Sequence, residues 1–142
     1  MRGFTMLEVI LSVAAIGIIT GIGVPVYQAF QVRNDLDVGA TTIAQSLRRA
    51  QVLAEASDGD SGWGVAVATG TITLFKGATY AARDATYDEV FLVPSSIASS
   101  GLSEVAFAKL SGLPGSTGTT TLTSSGGEVR TIIINAKGTV SY

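Results

Sequence analysis

Cysteine and histidine are both absent from the 142 residues of this chain. Without cysteine there is no disulfide, no thiolate metal site and no cysteine redox chemistry. Without histidine, a Ser-His-Asp triad and an imidazole general base are excluded. The sequence also has no nucleotide-binding glycine loop and no convincing pair of carboxylates. These absences argue against an enzyme and against a cofactor, so a structural or binding protein is expected.

Positive charge is scarce in the larger part of the chain. From Asn34 onward, seven basic side chains stand against ten acidic ones, a net charge of −3. A surface with this balance does not attract phosphate backbones. The one adjacent basic pair, Arg48-Arg49, is interpreted as a solvated helix face. Nucleic acid is therefore not the expected partner.

Charge is missing altogether between Glu8 and Arg33, a run of 24 residues. A helix rises 1.5 Å per residue, so roughly 20 residues cross the apolar core of a bilayer. The run is long enough to span a membrane. Two alternatives remain at this point: an ordinary secretory signal, for which the apolar run is long and lacks a clear small-residue cleavage site, and a plain uncleaved anchor.

Four residues within or beside this run break its apolar character. Gly17 and Gly21 lie four residues apart on one helix face and would permit close helix packing, although glycine also occurs in membrane helices without that role. Pro25 lacks a backbone donor and is expected to kink or loosen the helix. Glu8 is costly near a membrane unless it is paired, which marks it as functional. Alternatively, Glu8 is a helix N-terminal acid that interacts favourably with the dipole.

Residues 3–8 read Gly-Phe-Thr-Met-Leu-Glu and resemble the class III signal of type IV pilins and type II secretion pseudopilins. The apolar run and Pro25 extend the resemblance. It implies that a prepilin peptidase cuts between Gly3 and Phe4 and that the new N-terminus at Phe4 is methylated. It also implies that Glu8 and Pro25 act in filament assembly. The leader, residues 1–3, is short for this family.

The resemblance supplies a physical role for Glu8. Cleavage would free an α-amine at Phe4. In a low dielectric, the Phe4 amine of one subunit and the Glu8 carboxylate of its neighbour relieve each other's desolvation cost. Because an unpaired carboxylate is penalised, this pairing would set the register of an incoming subunit.

A second helical pattern follows the apolar run and is one-sided. Its apolar residues are spaced 4, 3, 4, 3 and 4 apart, which predicts an amphipathic helix over residues 33–56. The stripe consists of Leu36, Ala40, Ile43, Leu47, Ala50 and Ala54. We interpret it as a core face, with a partner-binding face as the alternative. Residues 57–62 are expected to end the helix in a solvated loop. Their alternating acids suggest a calcium loop only faintly, because Thr69 stands at its twelfth position.

From Trp63 onward the apolar period becomes two, which predicts about six or seven short antiparallel strands. Residues 77–88 are expected to be irregular and residues 112–118 to form a loop. The expected strands are residues 63–68, 71–76, 89–93, 103–110, 119–124, 128–134 and 139–142. The predicted fold class is therefore α+β, a long N-terminal helix packed on an antiparallel sheet.

This arrangement is similar to the pilin fold, and the head is similar to H-type minor pseudopilins and FimT-like minor pilins. The resemblance divides the chain into a leader (residues 1–3), a transmembrane and filament-core helix (4–32), an amphipathic half (33–56) and a β-rich head (57–142). It implies a minor pilin or pseudopilin, a structural subunit of a type IV pilus-like or type II secretion filament. The alternative is a minor pilin whose head binds DNA or a surface ligand.

The same resemblance implies the partners and the location. The expected partners are other pilin or pseudopilin subunits, the prepilin peptidase and an inner-membrane assembly platform. The expected location is the bacterial inner membrane, crossed once with the head outside the cytoplasm, and then the filament. Membrane association is expected, and no metal is.

Overall fold

The structure, a computed structural model, describes the backbone of residues 3–142 and all of their side chains except those of residues 22–25. One long helix is followed by eight strands in two antiparallel sheets, so the α+β class predicted from the sequence is confirmed. The chain divides into two compact units, residues 1–31 and residues 32–142. Residues 1 and 2 of the predicted leader lie outside the described residues.

Helix α1 extends over Met6–Glu55, and its backbone remains helical at Pro25. In the second unit, all six residues of the predicted apolar stripe are buried, none more than 2% exposed. Gly39 and Ser46 lie on the same buried side. A side chain at Gly39 would meet Leu122 and Val93 at 3.4 and 3.6 Å, so the sheets approach the helix backbone closely there. The stripe is therefore a core face, as interpreted from the sequence.

The helix ends at Glu55, close to the predicted residue 56, and a short 3-10 turn over Asp58–Asp60 follows. Ser57, Gly59 and Asp60 all have positive φ values. A helix cannot continue through left-handed residues, so the chain reverses here. Residues 57–62 end the helix as predicted.

The first sheet has the strand order β3-β2-β1-β5 and the second has the order β4-β6-β7-β8. One hydrophobic core joins the inner faces of both sheets to α1. The strands of the first sheet are β1 (Trp63–Ala68), β2 (Thr71–Lys76), β3 (Asp84–Leu92) and β5 (Glu104–Phe107). The strands of the second sheet are β4 (Ile97–Gly101), β6 (Gly118–Ser124), β7 (Val129–Ile134) and β8 (Val140–Ser141).

Two strand predictions need correction. Strand β3 begins at Asp84, within the segment expected to be irregular, because its backbone pairs with β2 as far as Lys76 across a bulge. Strand β4 was not predicted. Its residues Ile97–Gly101 are mostly small and polar, and they form a strand because they pair with β6 along its whole length. Edge strands with one solvated side need little apolar patterning, so the sequence signal is weak for both.

Gly64 in β1 lies against the ring of Phe75, which is fully buried on the face of the first sheet opposite α1. A Cβ at Gly64 would lie 2.5 Å from Phe75 Cζ and 2.7 Å from the carbonyl oxygen of Val105. We therefore expect Gly64→Ala to lower the free energy of unfolding by about 2–3 kcal/mol through overpacking. Denaturant unfolding of the detergent-solubilised chain measures this. The control is Gly115→Ala, whose Cβ would have 3.5 Å to its nearest neighbour; equal effects at both sites would contradict the packing argument.

Candidate functional site

The N-terminal end of α1 begins with a cap that the sequence interpretation missed. Thr5 precedes the first helical residue, and its hydroxyl oxygen accepts a hydrogen bond from the Glu8 N–H at 3.3 Å. The Thr5 carbonyl oxygen also accepts bonds from Glu8 and Val9, at 3.1 and 3.2 Å. Threonine followed three residues later by glutamate is the capping-box pattern, which was the available signal. The cap fixes the residue at which the helix starts.

The carboxylate of Glu8 is exposed at this helix start. Among residues 3–142 it forms no ion pair, and the reciprocal half of the capping box, from the Thr5 N–H to the Glu8 carboxylate, is not formed. The five ion pairs of the described chain all lie in the second unit. Glu8 therefore lies in the first turn of α1, and no described residue engages its carboxylate.

Gly3 and Phe4 precede the cap outside the helix, and both residues are exposed. The Phe4 side chain is 80% exposed, and nothing lies within 4 Å of a Cβ built at Gly3. The peptide bond between them is therefore open to an external enzyme. Sequence interpretation singled out Gly3, Phe4 and Glu8, and the structure places all three within one short stretch at the helix start.

Beyond Glu8, the described side chains of the first unit, residues 9–21 and 26–31, are exposed, and most of them are apolar. Among the described residues, α1 is the helix whose length and composition would allow it to cross a membrane. The hydroxyls of Ser12 and Thr20 are satisfied inside the helix: Ser12 donates to the Glu8 carbonyl and Thr20 to the Ile16 carbonyl, both at 2.7 Å. Hydroxyls bonded in this way can enter an apolar environment without losing their hydrogen bonds. Gly17 and Gly21 have open space around them.

Pro25, the fourth predicted site residue, is separated from the other three by many turns of α1. The backbone is helical at this position. Its side chain lies outside the described residues, so its predicted role in assembly stays a prediction.

The arginines of the second half of α1 are tied to the sheets. Arg49 forms a two-pronged ion pair with Glu89 of β3, with both N···O distances at 2.6 Å. Arg48 donates to the Val140 carbonyl at 3.4 Å and lies 5.7 Å from the ring of Tyr142. The interpretation of this pair as a merely solvated face was therefore incomplete. The two arginines hold the helix to different sheets.

Three further cations of the second unit also have partners within the chain. Lys109 forms an ion pair with Asp60, and its hydrogen bond holds the pKa of the Asp60 carboxyl below its ordinary value. Arg83 bonds Asp88 at 2.7 Å, which raises the pKa of the guanidinium. Lys76 lies 4.1 Å from the ring centre of Tyr87. Asp88 and its neighbour Glu89 engage different arginines, as expected for adjacent residues on opposite faces of a strand.

The described residues contain no group of three or more acidic side chains placed to hold a metal ion. In the loop weighed as a calcium site, Asp60 is engaged by Lys109. A cavity of about 200 Å³ lies beside β1 and β2, and the titratable residues in its lining are Tyr80 and Glu104. Glu104 Oε1 accepts the backbone N–H of Tyr80 at 2.6 Å, so this carboxylate stabilises the loop.

The described structure thus offers two kinds of functional feature: an open Gly3–Phe4 peptide followed by a capped helix with an available carboxylate, and an apolar helix of membrane-spanning length. Comparison with protein-family models, curated proteins and solved structures found no match to this chain.

Proposed function

We propose that the chain is a minor pilin or pseudopilin, cleaved between Gly3 and Phe4 and assembled as a subunit of a type IV pilus-like or type II secretion filament. The observation that carries the proposal is the grouping at the start of α1. An uncovered Gly3–Phe4 peptide and the Thr5 cap precede an apolar helix of spanning length, and the Glu8 carboxylate lies in the first turn of that helix. The long helix and antiparallel sheets agree with a pilin fold.

The proposed mechanism begins in the inner membrane, with the second unit outside the cytoplasm. Prepilin peptidase hydrolyses the peptide bond after Gly3 and leaves a free amine at Phe4, which is then methylated. The amine of one subunit pairs with the Glu8 carboxylate of its neighbour. A mismatch leaves a charge unpaired in an apolar environment, and this penalty favours the correct register. The partners are other subunits and the membrane assembly platform.

The alternative, a head that binds DNA, has less support. Arg48, Arg49, Arg83 and Lys109 are engaged by carboxylates, a carbonyl or an aromatic ring of the same chain. A phosphate backbone would have to displace these local partners before it gained comparable contacts.

The proposal is tested by the intact mass of the membrane-extracted chain, expressed with and without a prepilin peptidase. We expect the mass of a chain that starts at Phe4 and carries one added methyl group, only when the peptidase is present. A chain that still begins at Met1 beside an active peptidase would overturn the proposal. A type IV pilin processed in the same cells serves as the positive control.

A further inference from the structure

The face of the first sheet opposite α1 contains a trough over two alanines of β1. The valines of β1 belong to the hydrophobic core, so Ala66 and Ala68, which alternate with them, lie on the other face. Ala66 pairs with Thr73 of β2 on one side and with Glu104 of β5 on the other. Neighbouring strands are about 4.8 Å apart, so the backbones of Thr73 and Glu104 lie roughly 10 Å apart with a short methyl side chain between them.

The cavity of about 200 Å³ lies over this trough, and polar groups line it. Thr73 is only 4% exposed, and its hydroxyl has no hydrogen-bond partner within the described chain. Glu104 uses Oε1 to accept the Tyr80 N–H, which leaves Oε2 as a further acceptor. Thr71 and Ser103 add two more hydroxyls at the edge. Buried polar groups normally have a hydrogen-bond partner, so Thr73 indicates a ligand that enters the cavity and supplies one.

The aromatic wall of the cavity is Tyr80, and the chain fixes its position. Its N–H is held by Glu104, and its carbonyl accepts a bond from Arg83 Nη1 at 2.9 Å. Its ring packs edge-on against Phe75, with 5.5 Å between the ring centres. Arg83 is in turn held by Asp88 at 2.7 Å. A wall that is already in place needs little ordering when a ligand binds. We call this site the Tyr80 cavity.

The charges around the Tyr80 cavity disfavour ligands of either sign. Its described lining contains the Glu104 carboxylate and neither lysine nor arginine, so an anion would be repelled. A cation would approach the Tyr80 ring, where the Arg83 guanidinium already lies 3.8 Å from the ring centre. Two cations at one ring repel each other. The lining therefore favours an uncharged ligand that has both hydroxyl groups and an apolar face.

We propose that the Tyr80 cavity binds one ring of a neutral sugar. A pyranose has an apolar C–H face that can pack on Tyr80 and the alanines, and hydroxyl groups that can bond Thr73 and Glu104. A cavity of about 150 Å³ holds benzene, so about 200 Å³ has room for one substituted six-membered ring. This inference goes beyond the proposed function and does not depend on cleavage or assembly.

The test is saturation-transfer NMR on the full-length, uncleaved chain in a detergent without a sugar head group. The probes are the methyl glycosides of glucose, galactose, mannose and N-acetylglucosamine. We expect at least one to bind with a Kd of about 1 mM, as suits a ligand of this size. The uronic-acid and amino-sugar counterparts of that probe should bind at least fivefold more weakly. No binding of any neutral probe at about 20 mM, or equal binding of a charged counterpart, would overturn the proposal.

Filling the trough shows whether binding occurs there. Ala66→Leu places a larger side chain in the cavity, so we expect the affinity for the bound probe to fall at least tenfold. The matched control is Ala98→Leu, which makes the same change at an exposed alanine of β4 in the second sheet. Its affinity should equal that of the unsubstituted chain. Loss of binding in both variants, or in neither, would contradict this site.

Thr73→Val removes one hydroxyl while nearly preserving the shape of the side chain. The hydroxyl has no partner in the free chain, so we expect the midpoint of thermal unfolding to stay the same or rise. The affinity for the bound probe should fall at least threefold, because the ligand loses a hydrogen bond. A lowered midpoint would show that the hydroxyl serves the fold, and an unchanged affinity would show that it does not contact the sugar; either result overturns the proposed site.

Discussion

Glu8→Ala is expected to leave cleavage after Gly3 largely intact and to reduce filament incorporation at least tenfold. The carboxylate lies beside a capped helix start and forms no ion pair among residues 3–142, so its removal costs the folded chain little. In the proposed assembly its loss would leave the Phe4 amine of the neighbour unpaired in an apolar environment, which is costly. Incorporation is measured as the fraction of mature subunit in sheared filaments or cross-linked assemblies, with the intact mass measured in parallel.

Two further variants define what Glu8 contributes. Glu55→Ala removes an exposed glutamate from the other end of α1 and should assemble normally. Glu8→Gln keeps the size and hydrogen-bonding atoms but removes the charge, and should resemble the alanine variant if ion pairing is the cause. Normal incorporation of Glu8→Ala would refute the proposed role. If Glu8→Gln is incorporated normally and Glu8→Ala is not, then Glu8 acts through hydrogen bonding and not through ion pairing.

Gly3→Val is expected to reduce the mature form at least twentyfold and to leave a chain that begins at Met1. A Cβ at Gly3 has no neighbour within 4 Å, so valine disturbs nothing in the described chain. We therefore attribute the expected loss to the proposed peptidase, whose site would have to exclude a side chain at this position. The relative amounts of precursor and mature chain are read from intact masses after co-expression with the peptidase.

Gly17→Val is the matched control for this variant. Its Cβ also has no neighbour within 4 Å, and it adds the same side chain within the apolar helix, away from the cleavage site. Processing should stay normal. A mature-sized product from Gly3→Val would show that cleavage occurs elsewhere, whereas loss of processing in both variants would indicate a general effect on membrane insertion.

Local sequence patterns were sufficient to predict the secondary structure where one hydrophobic periodicity dominates. The stripe from Leu36 to Ala54 predicted the buried helix face because a 3.6-residue repeat admits one inward side. The hairpin of β1 and β2 was predicted with its observed ends, since alternation brackets the turn at Thr69-Gly70. The β6–β7 hairpin followed in the same way. In each case the residues that decide the structure are close in sequence.

Features that depend on pairing between residues far apart in the sequence were not predicted from local patterns. Strand β4 has little apolar pattern and exists because β6 supplies its hydrogen-bond partners. Strand β3 extends back to Asp84 because β2 is long enough to pair with it. Arg49 was interpreted as solvated, yet Glu89 lies 40 residues away in sequence and meets it in space. The local sequence of a short, polar strand does not specify which other strand it will pair with.

By itself, the sequence determined the α+β class, the membrane-length apolar helix, the buried stripe of its second half and the cluster of Gly3, Phe4 and Glu8. These features depend on neighbouring residues and on periodicity, which a linear chain displays directly. Only the tertiary structure decided that the strands divide into two sheets on one helix, that Arg49, Arg83 and Lys109 pair with carboxylates of the same chain and that Leu110 lies exposed in a left-handed turn. Those outcomes depend on hydrogen bonds and ion pairs between groups that are far apart in the sequence. A buried or capping N–H group must have an acceptor, and which acceptor it meets is decided by the fold.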